Sequence, residues 1–277
     1  MNKNFWIGIL AIVLVYMSNS MVAAQASPAS HFTYDLNKEG DGVIIKRYTG
    51  TNQNLIFPRE IEGYPVVQIG EGEEYAILNG IAPNMSRSFL VSVVIPEGIK
   101  IIAAGTFFGQ NKLTDVTFPV SLVEIGEQAF SGSHLTRLSF PVGSNLTVID
   151  NSAFFDNPLT SVDLSNTTLT TIGYSAFEGN YKTLRTVKLP DSVTTIGEMA
   201  FDLMSNLTDI NIPTSIESIG RYAFRGCTEL VRLTIPASIT SIIFKPQDRT
   251  HEVFNGCGKL PLATRQRLRN LGYTGEF

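Results

Sequence analysis

Two cysteines, three histidines and a recurrent set of charges are the side chains of this sequence that could do chemistry. His31, His134 and His251 share no metal-ligand spacing with one another or with Cys227 and Cys257. Ser133 beside His134 puts a hydroxyl next to a base, but adjacent residues make no triad without a third partner and an oxyanion site. No phosphate-binding glycine loop, dinucleotide fingerprint, zinc-binding helix or Gly-x-Ser-x-Gly elbow occurs. No catalytic residue, metal or cofactor is expected, and the chain does not read as an enzyme.

The charges are more informative. Asp115, Arg137, Asp163, Lys188, Asp209 and Arg232 each flank an apolar residue in the short segments DVT, RLS, SVD, TVK, DIN and RLT. Alternation of polar and apolar residues puts successive side chains on opposite faces of a strand, so these charges should point outward. Their signs alternate along the chain. If the segments stack, opposite charges should pair between neighbours as a solubilising ladder, or the row could serve as a polar recognition face.

The elements that hold these charges are written as a repeat. The core Ile-x-x-x-x-Phe ends at Phe107, Phe130, Phe154, Phe177, Phe201 and Phe224, at intervals of 23 or 24 residues, and Phe254 follows after an interval of 30. A second landmark runs in step with it: VVIP, VTFP, LSFP, VKLP, INIP and LTIP end at Pro96, Pro119, Pro141, Pro190, Pro213 and Pro236, while VDLS puts Ser165 in the remaining slot. Each unit reads L-x-x-[VIL]-x-[FIL]-P-x-S-[LVI]-x-x-I-G-x-x-A-F. One such coil cannot bury its apolar row alone, whereas stacked coils bury each row against its copies and satisfy the backbone sideways. Ile and Phe should fill the interior, Ala should allow close approach, the repeated glycine should serve a turn, and proline should end each strand because it offers no N–H.

The expected fold class is α/β: a solenoid of short parallel strands, mainly β, with a hairpin cap at one end and a helical cap at the other. Residues 27–54 form the hairpin cap, with two strands around NKEGD. Residues 55–260 form the solenoid, and 261–277 the C-terminal cap, with Pro261 near a helix start and Gly272 past its end. Arg265, Arg267 and Arg269 should face mostly outward. Two insertions, near 71–89 and 243–253, interrupt the period at equivalent phase and should leave the same face. The first contains Tyr75, Ile77, Leu78 and Met85 and is more apolar than an inert loop requires, so these residues either contact a partner or cover the first coils.

Residues 1–26 read as a secretory signal peptide, with Lys3, a 13-residue apolar run from Phe5 to Met17 and an Ala-x-Ala ending at Ala24 to Ala26. That run is shorter than the roughly 20 residues of a spanning helix, so no membrane span is expected after its removal. The net charge of −4 leaves no basic stripe for nucleic acid.

The unit, extended by x-x-C, resembles the BspA-type, or treponemal-class, leucine-rich repeat over roughly Leu55 to Leu260. The ending LPLATRQRLRNLGYTGEF is similar to the C-terminal caps of spirochaete members. The resemblance implies a secreted, cell-surface or periplasmic binding module that mediates protein–protein interaction or adhesion, with a protein or glycan ligand of unknown identity. The alternative is a structural or tethering protein of the cell envelope. The family's cysteine slot, three residues after each Phe, holds Gln110, Ser133, Asn157, Asn180, Met204, Cys227 and Cys257. Cys227 and Cys257 therefore sit in neighbouring coils about 5 Å apart, within reach of a disulfide in a secreted chain. The other reading is a pair of small packed core residues, as the family slot implies.

Overall fold

The computed structural model describes residues 25–71, 89–244 and 252–277. Nearly all of the expected leader, the loop residues Tyr75, Ile77, Leu78 and Met85, His251 and most of the second insertion lie outside them. The described chain is a mainly-β parallel solenoid of about eight turns that ends in one short helix.

Each turn contributes one strand to each of two walls. One wall holds the three-residue strands β3 (Asn54–Ile56), β6 (Ser92–Val94), β8 (Asp115–Thr117), β10 (Arg137–Ser139), β12 (Ser161–Asp163), β14 (Thr186–Lys188), β16 (Asp209–Asn211) and β18 (Arg232–Thr234). The other holds β5 (Tyr64–Ile69) and the two-residue strands β7 (Ile101–Ile102), β9 (Glu124–Ile125), β11 (Val148–Ile149), β13 (Thr171–Ile172), β15 (Thr195–Ile196), β17 (Ser218–Ile219) and β19 (Ile243–Phe244). The second wall is one continuous sheet that begins with the antiparallel hairpin of β1 (Phe32–Leu36) and β2 (Val43–Tyr48). The first divides into β3-β6-β8 and β10-β12-β14-β16-β18. A further two-residue strand, β4 (Glu60–Ile61), folds back on β5 through Glu62 and Gly63, both at positive φ as a tight two-residue hairpin turn requires.

The third wall is a ladder of turns built from the I-G-x-x-A-F segments. Gly105, Gln128, Ser152, Ser175, Met199 and Tyr222 occupy one left-handed position there, and their N–H groups through Met199 donate to carbonyls of the next coil. The Phe N–H groups do the same, from Phe107 to Ala129 at 2.7 Å through Phe201 to Ala223 at 2.9 Å. A non-glycine residue in the left-handed region costs roughly 1–2 kcal/mol; here each is held by a bond between coils. The repeated glycine has a different task from the turn expected of it. A Cβ on Gly197 would lie 2.5 Å from the Gly173 carbonyl oxygen, and one on Gly220 would lie 2.4 Å from the Glu198 nitrogen. Glycine is required because adjacent coils touch backbone to backbone, and the left-handed residue stands two places later.

Inside, Phe107, Phe130, Phe154, Phe177, Phe201, Phe224 and Phe254 are fully buried in a single column. From Phe130 to Phe254 the rings are near parallel, with centroids 5.3 to 5.6 Å apart. Perpendicular rings close both ends: Phe57 meets Phe107 at 75° and Tyr273 meets Phe254 at 88°.

The slot three residues after each Phe has a polar logic. Ser133 donates to the carbonyl of Phe107, Asn157 to Phe130, Asn180 to Phe154, Cys227 to Phe201 and Cys257 to Phe224, each one coil back. Asn157 and Asn180 also accept from the N–H groups of Leu135 and Leu159. Cys227 and Cys257 are free and buried. Burial, with Cys257 alongside, pushes the Cys227 thiol well above its ordinary range, which keeps it a protonated donor.

At the C-terminus, helix α1 (Leu262–Asn270) packs Leu268 inward, and Gly272 follows at positive φ. Arg269 is exposed, whereas Arg265 and Arg267 are half-buried and turn their guanidinium groups onto the chain. Arg267 donates to the carbonyls of Pro236, Ala237 and Ile239, while Arg265 donates to those of Gly258 and Leu260. Arg269 bonds the Tyr273 carbonyl and lies 5.0 Å from the Phe277 ring centre. The last coil has carbonyls with no further coil to meet, and guanidinium groups supply the missing donors.

Phe177→Ala should cost about 3–5 kcal/mol and lower or broaden the thermal unfolding transition followed by circular dichroism; an unchanged melt would remove the Phe column from the core. Asn180→Leu keeps the side-chain volume but leaves the Leu159 N–H and the Phe177 carbonyl without their side-chain partner, and should cost about 1–3 kcal/mol in a urea titration, whereas Asn180→Ser should recover part of the loss.

Candidate partner-binding face

Outward residues of the three-residue strands stand in two columns. Register places Ser161 beside Arg137, Thr186 beside Ser161, Asp209 beside Thr186 and Arg232 beside Asp209 in the first. The second runs Ser139, Asp163, Lys188, and farther on Asn211, Thr234. The six charges therefore do not form one alternating ladder. Two ion pairs form within the columns, Lys188–Asp163 at 3.3 Å and Arg232–Asp209 at 2.7 Å. Among the described residues Arg137, which lies beside Ser161, has no ion pair, and neither does Asp115, because the sheet is interrupted between β8 and β10. At that interruption 22 residues separate the two strands' first residues, against 23 to 25 for their neighbours in β6 to β18, and the Phe118 and Phe140 rings stack at 4.7 Å behind it.

Both pairs are exposed, and each contributes about 0–1 kcal/mol. Asp163 has extra support because its unit lacks the strand-ending proline. Ser165 in that place has an N–H, which donates to the Asp163 carboxylate at 3.1 Å, and the Ser165 hydroxyl donates to the same oxygen. Partial burial alone would raise the Asp163 pKa; the Ser165 bonds and the Lys188 ammonium outweigh it and hold the carboxyl below its ordinary value.

The first insertion leaves this frame between anchored ends. Lys46 bridges Asp35 at 2.9 Å and Glu71 at 2.6 Å on the entering side. On the returning side the N–H groups of Phe89 and Leu90 donate to the Gln110 side-chain oxygen. Phe89 packs against the core.

A different feature lies on the turns that join the third wall to the three-residue strands. Phe107 to Leu113 takes six residues, Phe130 to Leu135 and Phe154 to Leu159 five each, and Phe177 to Leu184 seven. Two short turns between longer ones leave a cleft of about 440 Å³ bordered by Asn111, His134, Asp156, Pro158, Tyr181 and Lys182. A second depression of about 380 Å³, with Phe108 and Phe155 in its wall, adjoins it across Gly132 and Asp156. This site was missed in the sequence because its members belong to no motif; the varying distance from Phe to Leu was the available signal.

Among the described residues no cluster of three or more His, Cys, Asp or Glu side chains could hold a metal, and no helix is long and apolar enough to cross a membrane.

Stacked parallel coils with a repeating leucine, isoleucine and phenylalanine core define a leucine-rich-repeat solenoid. The BspA type leucine rich repeat region matches residues 85–203 and 147–260, with six copies, and the chain belongs to that family. It is similar to the crystal structure of the T. pallidum leucine rich repeat protein TpLRR, at 28% identity and a TM-score of 0.64, covering 91% of this chain and 99% of that one. A leucine rich cell surface protein from Faecalibacterium prausnitzii A2-165 also matches, at 19% identity and a TM-score of 0.36 over 92% of this chain and 99% of that one. The pneumococcal vaccine antigen PcpA matches at 18% identity and a TM-score of 0.37, over 91% and 98% respectively. None of the curated proteins matches the sequence.

A carboxylate whose folded pKa lies below its unfolded value, near 3.9, adds stability that is full above about pH 5 and fades as pH falls through the folded value. Asp163→Asn should therefore flatten part of the acid limb of a melting-temperature profile between about pH 5 and 2 and leave the neutral limb parallel to that of the unchanged protein; an identical acid slope in both proteins would remove Asp163 from the acid response.

Proposed function

We propose that this chain is a secreted or surface-exposed, non-catalytic binding module that engages a protein through the outward columns of β8 to β18. The observation that carries the reading is the division of labour within each three-residue strand. The middle residue is held by the core, while its two neighbours point outward at fixed spacing and differ from coil to coil. A rigid row of variable polar residues is what repeat scaffolds present to partners. Asp115 and Arg137, which have no ion pair, stand at the sheet interruption and are the charges with the least to lose on pairing with a ligand.

Support for export comes from the leader-like segment with its 13-residue apolar run. The face has no aromatic anchor among its charged positions, so affinity through it is modest and sensitive to salt. Apolar contacts, which the columns lack, would come from the insertion around Tyr75, Ile77, Leu78 and Met85 if those residues do not cover the first coils instead.

The test is a pull-down with the mature protein against host matrix proteins and the producing cell's own envelope fraction, paired with protease treatment of intact cells. Binding to a matrix protein should weaken by about tenfold or more in the triple substitution Arg137→Ser, Lys188→Ser, Arg232→Ser, and protease should reach the protein on whole cells. Protection from protease together with capture of envelope components alone would instead assign a tethering role. Binding that survives the triple substitution at the same salt would move the contact to the insertion.

A further inference from the structure

We propose that the cleft over the two shortened turns is a binding site for a neutral oligosaccharide, with Tyr181 as its aromatic platform and Asp156, His134, Asn111 and Lys182 as its hydrogen-bonding groups.

The cleft follows from the chain's own turn lengths, and its volume of about 440 Å³ lies within the range of small-molecule sites, about 300–1,000 Å³. The adjoining depression shares Gly132 and Asp156 with it, so the two form a continuous trough across several coils. A linear ligand of several similar units fits a trough with two adjoining compartments better than a single compact molecule does.

Three charged pairs join later coils, Arg225–Asp202, Arg221–Glu252 and Lys259–Glu229. In the cleft the side chains of Asn111, His134, Asp156 and Lys182 make no hydrogen bond or ion pair among the described residues. Asp156 is also held at positive φ, and a Cβ on Gly179 would lie 2.5 Å from its backbone nitrogen, so its position is fixed by the coil above.

Lys182 and Asp156 cancel in charge, and the remaining groups mix donors with acceptors, which matches hydroxyl groups that both donate and accept. Tyr181 is 37% exposed beside them, although most large apolar side chains of the chain are buried. Partial burial raises its pKa, and the carboxylates of Glu178, Asp202 and Asp156 add to the effect, so its phenol stays protonated as a donor. The same carboxylates disfavour an anionic ligand. Phe108 and Phe155 give the second compartment an apolar wall of its own. An aromatic side chain beside the unpaired polar groups of the first compartment suits a sugar ring, which has an apolar C–H face and a polar rim.

This inference shares with the preceding reading only the premise of an external ligand, and the two are tested on different faces. Neutral tetrasaccharides (cellotetraose, xylotetraose, chitotetraose, maltotetraose and lacto-N-tetraose) would be titrated against the mature protein by saturation-transfer NMR and calorimetry. A sulfated heparin tetrasaccharide and an unstructured Gly/Ser/Lys peptide serve as comparators. At least one neutral sugar should bind, and both Tyr181→Ala and Asp156→Asn should weaken it at least about tenfold with an unchanged melting temperature. The strand-face triple substitution should leave sugar binding intact. The proposal is overturned if no neutral sugar binds at about 5 mM, if binding survives both cleft substitutions, or if only the sulfated sugar or the peptide binds. None of those results bears on the strand face, which stands or falls by the pull-down.

Discussion

Every coil of this protein depends on the coil beside it to complete its backbone. Strand N–H groups, turn N–H groups and most of the side chains three residues after a Phe reach one coil along, because no coil has enough internal partners to be buried alone. That single requirement sets the rest: glycine where backbones touch, left-handed residues where an N–H must point along the stack, and a donor beneath all but one of the Phe carbonyls from Phe107 to Phe224. It also explains the ends. At the start, the β1–β2 hairpin continues the sheet and Ser27 bonds the Ile56 carbonyl. At the finish, Arg265 and Arg267 donate to carbonyls that another coil would otherwise meet.

The two faces differ because they are constrained differently. On the strand face, register is dictated by the core, so an outward residue can be exchanged but not displaced. On the turn face the distance from Phe to Leu varies between five and seven residues while the ring column stays continuous. Shape on that side is therefore set by length as well as by residue type, which is how a cleft arises in a scaffold with an otherwise uniform surface.

Much of this was legible in the amino-acid order, since period and apolar pattern follow directly from what must be buried. The Phe column, the strand positions, the cap helix and the outward placement of Asp163 or Lys188 are all readable from spacing. Lateral pairing was not, because charges two residues apart on a strand fall into separate columns, so Asp209 meets Arg232 but not Lys188. The carbonyl bonds of Arg265 and Arg267 are not legible for a related reason: a basic residue near a surface reads as solvated until the unmet carbonyls beneath it are located. The glycine of I-G-x-x-A-F was assigned to a turn because glycine more often serves there, whereas crowding between coils is invisible in a single coil's sequence.

One slot in the stack breaks the polar rule. Met204 occupies the position filled elsewhere by a donor, so the Phe177 carbonyl receives its side-chain bond from Asn180 of its own coil at 2.6 Å and none from the coil above. Its neighbours on either side, Asn180 and Cys227, both reach back to the preceding coil. The side-chain cross-link is moved rather than lost: Ser205 and Asn206, just after Met204, donate to the Tyr181 and Lys182 carbonyls of the preceding coil at 3.0 and 2.6 Å. The tie between these two coils therefore lies at the surface of the turn, within reach of water, where its counterparts in the other coils are buried.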